Sequence, residues 1–419
     1  MKLLALIATI GLALVSSTSP TAAAPTVAGA QSQVVPNQYI ITLKPTANLS
    51  QFSRALQSEM ARERESNTVN GGIVPKFGQQ VLIGSSFKAV TGTMTDDMVR
   101  KLKANSQVAS VEPDYIVQLF ETTQLNPPSW GLGRISSRSG VQGYYSFPDK
   151  QGEGVDVYVI DTGVRPGHPE FRGFEQEQRA KTAFKVIGGS EPEEDQNGHG
   201  THVAGTIAGV QFGVAKRARI RAIKILDRNG FGRASDAVWG MALAASEIRT
   251  SGKTAVCNMS FGFYANQTPA SDMTALDQAA AALFEAGCVI VKAAGNWKLK
   301  VYACTAAPGR VPQGLTVAAL SAKGDALASY SNIGRCVNIA APGNDIVSAG
   351  LGGRNANATL SGTSMAAPHV AGAAALILGQ EPQLTPQQVV DRIISRAIVG
   401  VIKGDLKGGA NRVLYVSPQ

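Results

Sequence analysis

GVDVYVIDTG, residues 154–163, runs almost without interruption through apolar side chains and then stops on a carboxylate. A strand with one wet face would alternate polar and apolar residues; this one does not, so both of its faces must be covered. The same texture returns in ARIRAIKIL (218–226), TAVCNMSFG (254–262) and GCVIVKAAGN (287–296). Between them stand the alanine-rich stretches SDAVWGMALAASEI (235–248) and SDMTALDQAAAALFEAG (271–287), which read as helices. Apolar strands alternating with helices predict an α/β fold with a mostly parallel central sheet and helices on both faces. LTPQQVVDRIISRA (384–397) adds a C-terminal helix capped by Thr385, with Pro386 in its first turn and Gln388 completing a capping box.

Upstream the texture differs. NQYIITLKP (37–45), SFKAVTGTM (86–94) and VASVEPDYIVQ (108–118) read as strands, and SQFSRALQSEMARERE (50–65) as a helix with Phe52, Leu56 and Met60 on one face. TDDMVRKLKANS (95–106) is a second helix, capped by Thr95, with Asp96 and Asp97 at its positive end. Residues 31–121 therefore predict a small βαβ-type, α+β domain, and residues 122–419 the larger one. Before both, Lys2 precedes the apolar run Leu3–Val15 and a tail of small residues, the layout of a secretory signal peptide. Its end falls at Ala24 or, at the latest, Ala30. An exported protein with no membrane anchor after signal removal is expected.

At 419 residues, 44% hydrophobic and 16% charged, the chain is neither disordered nor fibrous. The net charge of +9 centres on AKRARIRAIK (215–224), but no aromatics are interleaved for stacking on bases. A strand with one solvated face explains the stretch, and no nucleic-acid partner is expected. Four cysteines are too few for a disulfide-built scaffold and match no zinc spacing. Cys257 and Cys288 lie in apolar runs and read as buried free thiols, whereas Cys304 and Cys336 lie in loop-like sequence and suit a bridge better.

Ligands of such a sheet gather beyond the carboxyl ends of its strands, so the polar residues that end them carry the chemistry. Asp161 ends the first strand. NGHGTHVAGTIAG (197–209) puts His199 and His202 at the start of a helix, in a chain with four histidines in all. Zinc is a poor reading of that pair, because no H-E-x-x-H and no further ligand completes a set. SGTSMAAPHVAGAAALIL (361–378) places Ser364 on a glycine turn at the mouth of a buried helix. A serine hydroxyl needs a base, and the base a third group to orient it; Asp161, His199 and Ser364 supply those parts. An esterase or lipase would need G-x-S-x-G with the serine first, and Ser364 comes last. A binding protein that had lost catalysis would not keep all three residue types.

VIDTGV, GHGTHVAGT and SGTSMAAPHVAG, in that order, resemble the subtilisin-like serine proteases, in texture their proteinase K branch. The likeness spans residues 122–419, and the preceding segment is similar to the inhibitor-type propeptide of that family, a small ferredoxin-like fold. The resemblance implies a subtilisin-like fold and a secreted endopeptidase made as a zymogen. Its own propeptide would be an intramolecular inhibitor, cut off between Phe120 and Gln124, and the mature enzyme would work as a monomer without an obligatory cofactor. It implies an oxyanion hole from the Asn296 amide, in VKAAGNW, and the Ser364 backbone N–H. Pocket walls would come from Ser260, Phe261 and Gly262 and from Ala293, Ala294 and Gly295, and Gly230, Phe231 and Gly232 would pair with the substrate backbone. No acidic residue falls at the pocket base, so aromatic and large aliphatic P1 residues are expected over basic ones.

The likeness also implies a disulfide between Cys304 and Cys336. Calcium-binding relatives use a carboxylate where Asn338 stands here, with carbonyls at Pro312 and Gly314; an amide adds no charge, so a weak calcium site is expected. Asp195, near the catalytic histidine, sits in an acidic run with Glu191, Glu193 and Glu194, read here as a solvated loop. Asn266 and Asn357 lie in polar sequence as glycan acceptors, Asn258 should stay bare, and Asn48 would matter only in the precursor.

Overall fold

The computed structural model describes residues 34–69, 72–84, 86–115, 121–173, 177–264, 274–297, 302–322 and 324–416. The signal segment, the 116–120 stretch and Asn266 lie outside the described residues. The chain divides into two compact units around the 116–120 stretch.

The first unit runs β1 (Val34–Leu43), α1 (Leu49–Val69), β2 (Lys76–Ile83), β3 (Phe87–Thr93), α2 (Asp96–Lys103) and β4 (Val108–Tyr115). Its antiparallel sheet has the order β2-β3-β1-β4. This is the split β-α-β arrangement of ferredoxin-like domains. The core forms where Phe52, Leu56 and Met60 of α1 and Met98 and Leu102 of α2 meet Ile41, Leu43 and Val90 of the sheet. Thr95 accepts the Met98 N–H at 3.2 Å, so the α2 cap forms as the sequence predicts.

The second unit opens with an antiparallel pair, β5 (Glu121–Leu125) and β6 (Tyr144–Pro148), flanking α3 (Trp130–Ile135). Its centre is a nine-stranded sheet of order β18-β19-β15-β14-β12-β10-β7-β9-β8. These are β7 (Asp156–Asp161), β8 (Ala180–Lys185), β9 (Arg219–Lys224), β10 (Ala255–Met259), β12 (Cys288–Ala293), β14 (Leu315–Leu320), β15 (Ile339–Pro342), β18 (Ile398–Val399) and β19 (Arg412–Val413). All neighbours pair in parallel except β18 with β19. Two short antiparallel pairs complete it, β11 (Phe263–Tyr264) with β13 (Ala306–Ala307) and β16 (Ile346–Ala349) with β17 (Asn357–Leu360).

Continuous apolar strands pay off as two cores. Ile160, Ile223, Cys257 and Ile290 face α5 (Ala234–Ser251) and α6 (Ala275–Glu285), while Val157, Val159, Val256 and Val291 face α4 (His199–Ala208) and α7 (Thr363–Gln380). The helix α8 (Pro386–Arg396) carries the predicted capping box at Thr385 and Gln388. Among the described residues, no helix is long and apolar enough to cross a membrane.

Two expectations need correction. Cys257 and Cys288 are not free thiols: they form a disulfide with Cα atoms 6.0 Å apart. They stand on adjacent parallel strands, two residues out of register (Ala255 opposes Cys288), and share the face toward α5 and α6, so their sulfurs meet. Cys304 and Cys336 are bridged as well, with Cα atoms 5.3 Å apart. The basic stretch is a solvated face only in part: the Arg217 and Arg219 side chains are 40% and 43% exposed, beside buried Ile220 and Ala222. Lys216 is buried against the rings of Tyr145 and Phe147, Lys224 is buried, and Arg217, Arg219 and Arg221 pair with Glu153, Asp156 and Glu247.

Candidate active site

The strand order places a topological switch point between β7 and β10, because the chain leaves β7 toward β8 and β9 and later returns to its other side. A crevice opens beyond the carboxyl ends at such a point. Asp161 ends β7 there and Ser260 follows β10.

Asp161 is completely buried, and its Oδ1 accepts from Thr162 N at 2.7 Å and from His199 Nδ1 at 2.8 Å. His199 sits at the first turn of α4. Gly200 lets that turn approach, since a Cβ there would lie 2.1 Å from the Gly163 carbonyl oxygen. The imidazole is 26% exposed. Burial alone would lower its pKa; the charge and hydrogen bond of Asp161, with Asp195 behind them, outweigh burial and hold it above the ordinary histidine value. His202 and His369 are buried without a carboxylate partner and are pushed down to about 4, so both are neutral near pH 7. His168 is held between the Ala356 carbonyl and the Glu170 N–H.

Asp195 is not solvated. It is 3% exposed, and it ties the Asp161 turn to the start of α4. Oδ1 accepts from Thr162 Oγ1, Asn197 N and Gly198 N, and Oδ2 from Thr201 N and Oγ1. Helix N-termini expose unpaired N–H groups, which is why the carboxylate turns inward. Glu193 and Glu194 are exposed as expected, and Glu191 pairs with Arg228. The signal was available in DQNGHG, an aspartate just ahead of a helix start.

Ser364 lies in the first turn of α7, half-buried in a helix otherwise buried almost all round. Its hydroxyl donates to the Ser260 carbonyl at 3.0 Å, not to His199. Pro368, which looks like an interruption in the sequence, has a consequence here. Proline lacks the N–H that would bond the carbonyl four residues earlier, so the Ser364 carbonyl is released from the helix ladder. Ser260 Oγ donates to it at 2.9 Å, and Asn258 Nδ2 donates to Ser260 Oγ at 2.9 Å. Asn258, an acceptor sequon, is completely buried.

Asn296 Oδ1 accepts both the N–H and the hydroxyl of Thr363, each at 2.9 Å. That pairing leaves Nδ2 as the donor end of the amide, 3.2 Å from where a Cβ on Gly362 would stand. A cleft of about 550 Å³ joins His199 to Gly230, Phe231, Gly232, Ser260, Phe261 and Gly262. Its walls also include Leu226, Phe263 and Leu276, which sequence reading missed because nothing marks them apart from core residues. Ala293, Ala294 and Gly295 do not line this cavity. The two alanines are buried, and the Gly295 N–H is held by Thr363 Oγ1 at 3.0 Å.

The calcium candidates do not fit a metal. Asn338 Oδ1 accepts the Thr316 N–H at 2.7 Å and so serves the pairing of β14 with β15. Among the described residues, no three His, Cys, Asp or Glu side chains group to hold an ion. Asn357 stands not in a loop but exposed at the start of β17.

Two family descriptions match the chain: Subtilase family (peptidase S8) over residues 152–414, and Peptidase inhibitor I9 over residues 38–120. Subtilisin-like protease 6 of Trichophyton verrucosum is 37% identical over 378 residues, 86% of each chain. Alkaline protease 1 of Aspergillus clavatus is 35% identical over 389 residues, 92% of each. A crystal structure of a cold-adapted subtilisin-like serine proteinase matches with a TM-score of 0.61 at 38% identity, covering 69% of this chain and 98% of that one. The chain therefore belongs to the subtilase family of serine-type endopeptidases, preceded by a propeptide of the inhibitor I9 type.

Proposed function

We propose that Ser364, His199 and Asp161 are the nucleophile, base and orienting acid of a secreted endopeptidase that matures by removing its own propeptide. The observation that carries this reading is the 2.8 Å contact between Asp161 Oδ1 and His199 Nδ1 at the switch-point crevice. A carboxylate on Nδ1 keeps the proton there and leaves Nε2 as the acceptor. Ser364 Oγ attacks the scissile carbonyl and passes its proton to Nε2, and the imidazolium so formed is stabilised by Asp161. The hydroxyl must first turn from the Ser260 carbonyl toward His199, a tightening common when substrate arrives. Asn296 Nδ2 and the Ser364 N–H receive the oxyanion. His199 then protonates the leaving amine, and water releases the acyl group by the same path.

Gly230–Gly232 would take the substrate as an added strand, with Phe231, 75% exposed, reaching over it. The residues expected to wall the P1 pocket, Ser260–Gly262 and Ala293–Gly295, include no carboxylate, which supports an apolar or aromatic P1 residue over a basic one. Labelling with a serine-directed fluorophosphonate tests the chemistry; it should be lost in Ser364→Ala. For peptides differing only at P1, phenylalanine and leucine should exceed arginine in kcat/KM by ~10-fold or more. Arginine winning would mean that the pocket is misassigned.

A further inference from the structure

Behind the pocket wall lies a buried cluster of charges that the chemistry above does not use. Lys292, in the strand that leads to Asn296, is completely buried. Its amine donates to the carbonyls of Val311, at 2.5 Å, and Gln313. Just before these, Arg310 is held by buried Asp277 of α6 at 2.8 Å. The Gly309 carbonyl accepts from Thr316 Oγ1 at 2.6 Å. The returning segment 309–313 is thus fastened from inside at four of its five residues.

What it fastens is a wall of the site. The segment begins at β13, which pairs with β11 directly after the cleft residues Ser260–Gly262. A Cβ on Gly262 would stand 2.6 Å from the Ala307 carbonyl oxygen, so the cleft wall and β13 are in close contact. The same segment carries Pro312 and is followed by Gly314, where a calcium ion would be sought. A hard dication prefers six to eight oxygens with carboxylates among them. Here the one side-chain candidate, Asn338, is uncharged and already accepts a backbone N–H. The carbonyls that face the Lys292 amine are those of Val311 and Gln313, which alternate with the candidate carbonyls of Pro312 and Gly314.

We propose that Lys292 holds the specificity wall from within the chain, and that calcium contributes nothing there, because the one side-chain oxygen on offer, that of Asn338, is uncharged and already engaged. An amine carries two N–H groups whether or not it is protonated, so both carbonyls keep their partner in either state. The inference rests on the cleft assignment made above, and Lys292 is a positioning residue in it, not a catalytic one.

The test uses the mature protein covalently inhibited by a fluorophosphonate to stop autolysis. Its thermal transition should agree within about 1 °C in excess chelator and in millimolar calcium, where one bound ion would add a ligand-dependent rise. A calcium-dependent rise that disappears in Asn338→Ala would overturn the proposal. Lys292→Met strands two buried carbonyls and should lower the transition by roughly 5–10 °C, with no rescue by calcium. In the active form it should raise KM for a P1-phenylalanine peptide by ~5-fold or more while kcat stays within about twofold. A lowered transition with unchanged KM would mean that the lysine is merely structural and does not hold the pocket. Should the variant not accumulate, the calcium comparison on the parent protein still decides. Absence of fluorophosphonate labelling would instead overturn the catalytic reading, which the thermal comparison does not depend on.

Discussion

Asp195 accepts hydrogen bonds from five donors on two sides of the histidine, without touching the imidazole. Its charge is one of the terms that raise the His199 pKa, after that of Asp161. His199 must be neutral to act as a base, so the acid limb of kcat/KM follows its pKa. Asp195→Asn removes the charge and should move that limb to lower pH, with Asp161 still in place. It should also cost ~1–3 kcal/mol of stability, because an amide cannot accept at both ends. A pH profile of kcat/KM decides the matter: a limb that stays put would show that Asp195 only braces the loop. The pairing of Asp161 with His199 was legible in the sequence because chemistry demands rare residue types; only four histidines compete for the role, and two are buried at a pKa of about 4. Asp195 was misread: among glutamates it looks solvated, and the helix start just after it in DQNGHG was the signal that it is captured.

At the scale of elements, burial on both faces did not decide which strands were legible: β1 and β3 were read with one face wet, while β14 and β15, buried throughout, were not read. Nor was β2, an edge strand with mostly exposed residues whose apolar Val81, Leu82 and Ile83 bunch at one end instead of alternating. The short pairs β11–β13 and β16–β17 exist through their tertiary setting, which local pattern does not encode. The helix α7 shows how one residue can tie two elements together. Pro368 frees the Ser364 carbonyl, and Ser260, beyond β10, takes it. Ser260→Ala should strand that carbonyl and the Asn258 amide, costing ~1–3 kcal/mol. Pro368→Ala supplies the missing helical N–H, so the double variant should lose less than the two single losses combined. Denaturation of the inhibited proteins in a double-mutant cycle measures the coupling. Additive losses would mean that Ser260 and the proline act independently.

For the whole molecule, the groups buried in the two cores set how stability depends on pH. Burial lowers the pKa of Lys216 to about 7, with Glu170 opposing, and that of Lys292 to about 7, with Asp277 opposing. The ordinary lysine value in the unfolded chain is 10.5. Between these limits the unfolded state binds more protons than the native one, so stability rises as pH climbs from about 7 to 10.5. Below that window the buried, neutral His202 and His369 act in the same sense from about 4 to 6.5. His199 acts oppositely, because its raised pKa gives a contribution that is lost as pH rises through it. Tyrosines set the upper limit: burial raises Tyr145, Tyr158 and Tyr330, so above pH 10 the unfolded chain loses phenolic protons that the native state keeps. Unfolding of the inhibited protein should therefore require more denaturant at pH 9 than at pH 7, with the rise halved in Lys216→Met. A midpoint that is flat or falls across this range would mean that both amines stay charged inside the fold, held by the carbonyls they face.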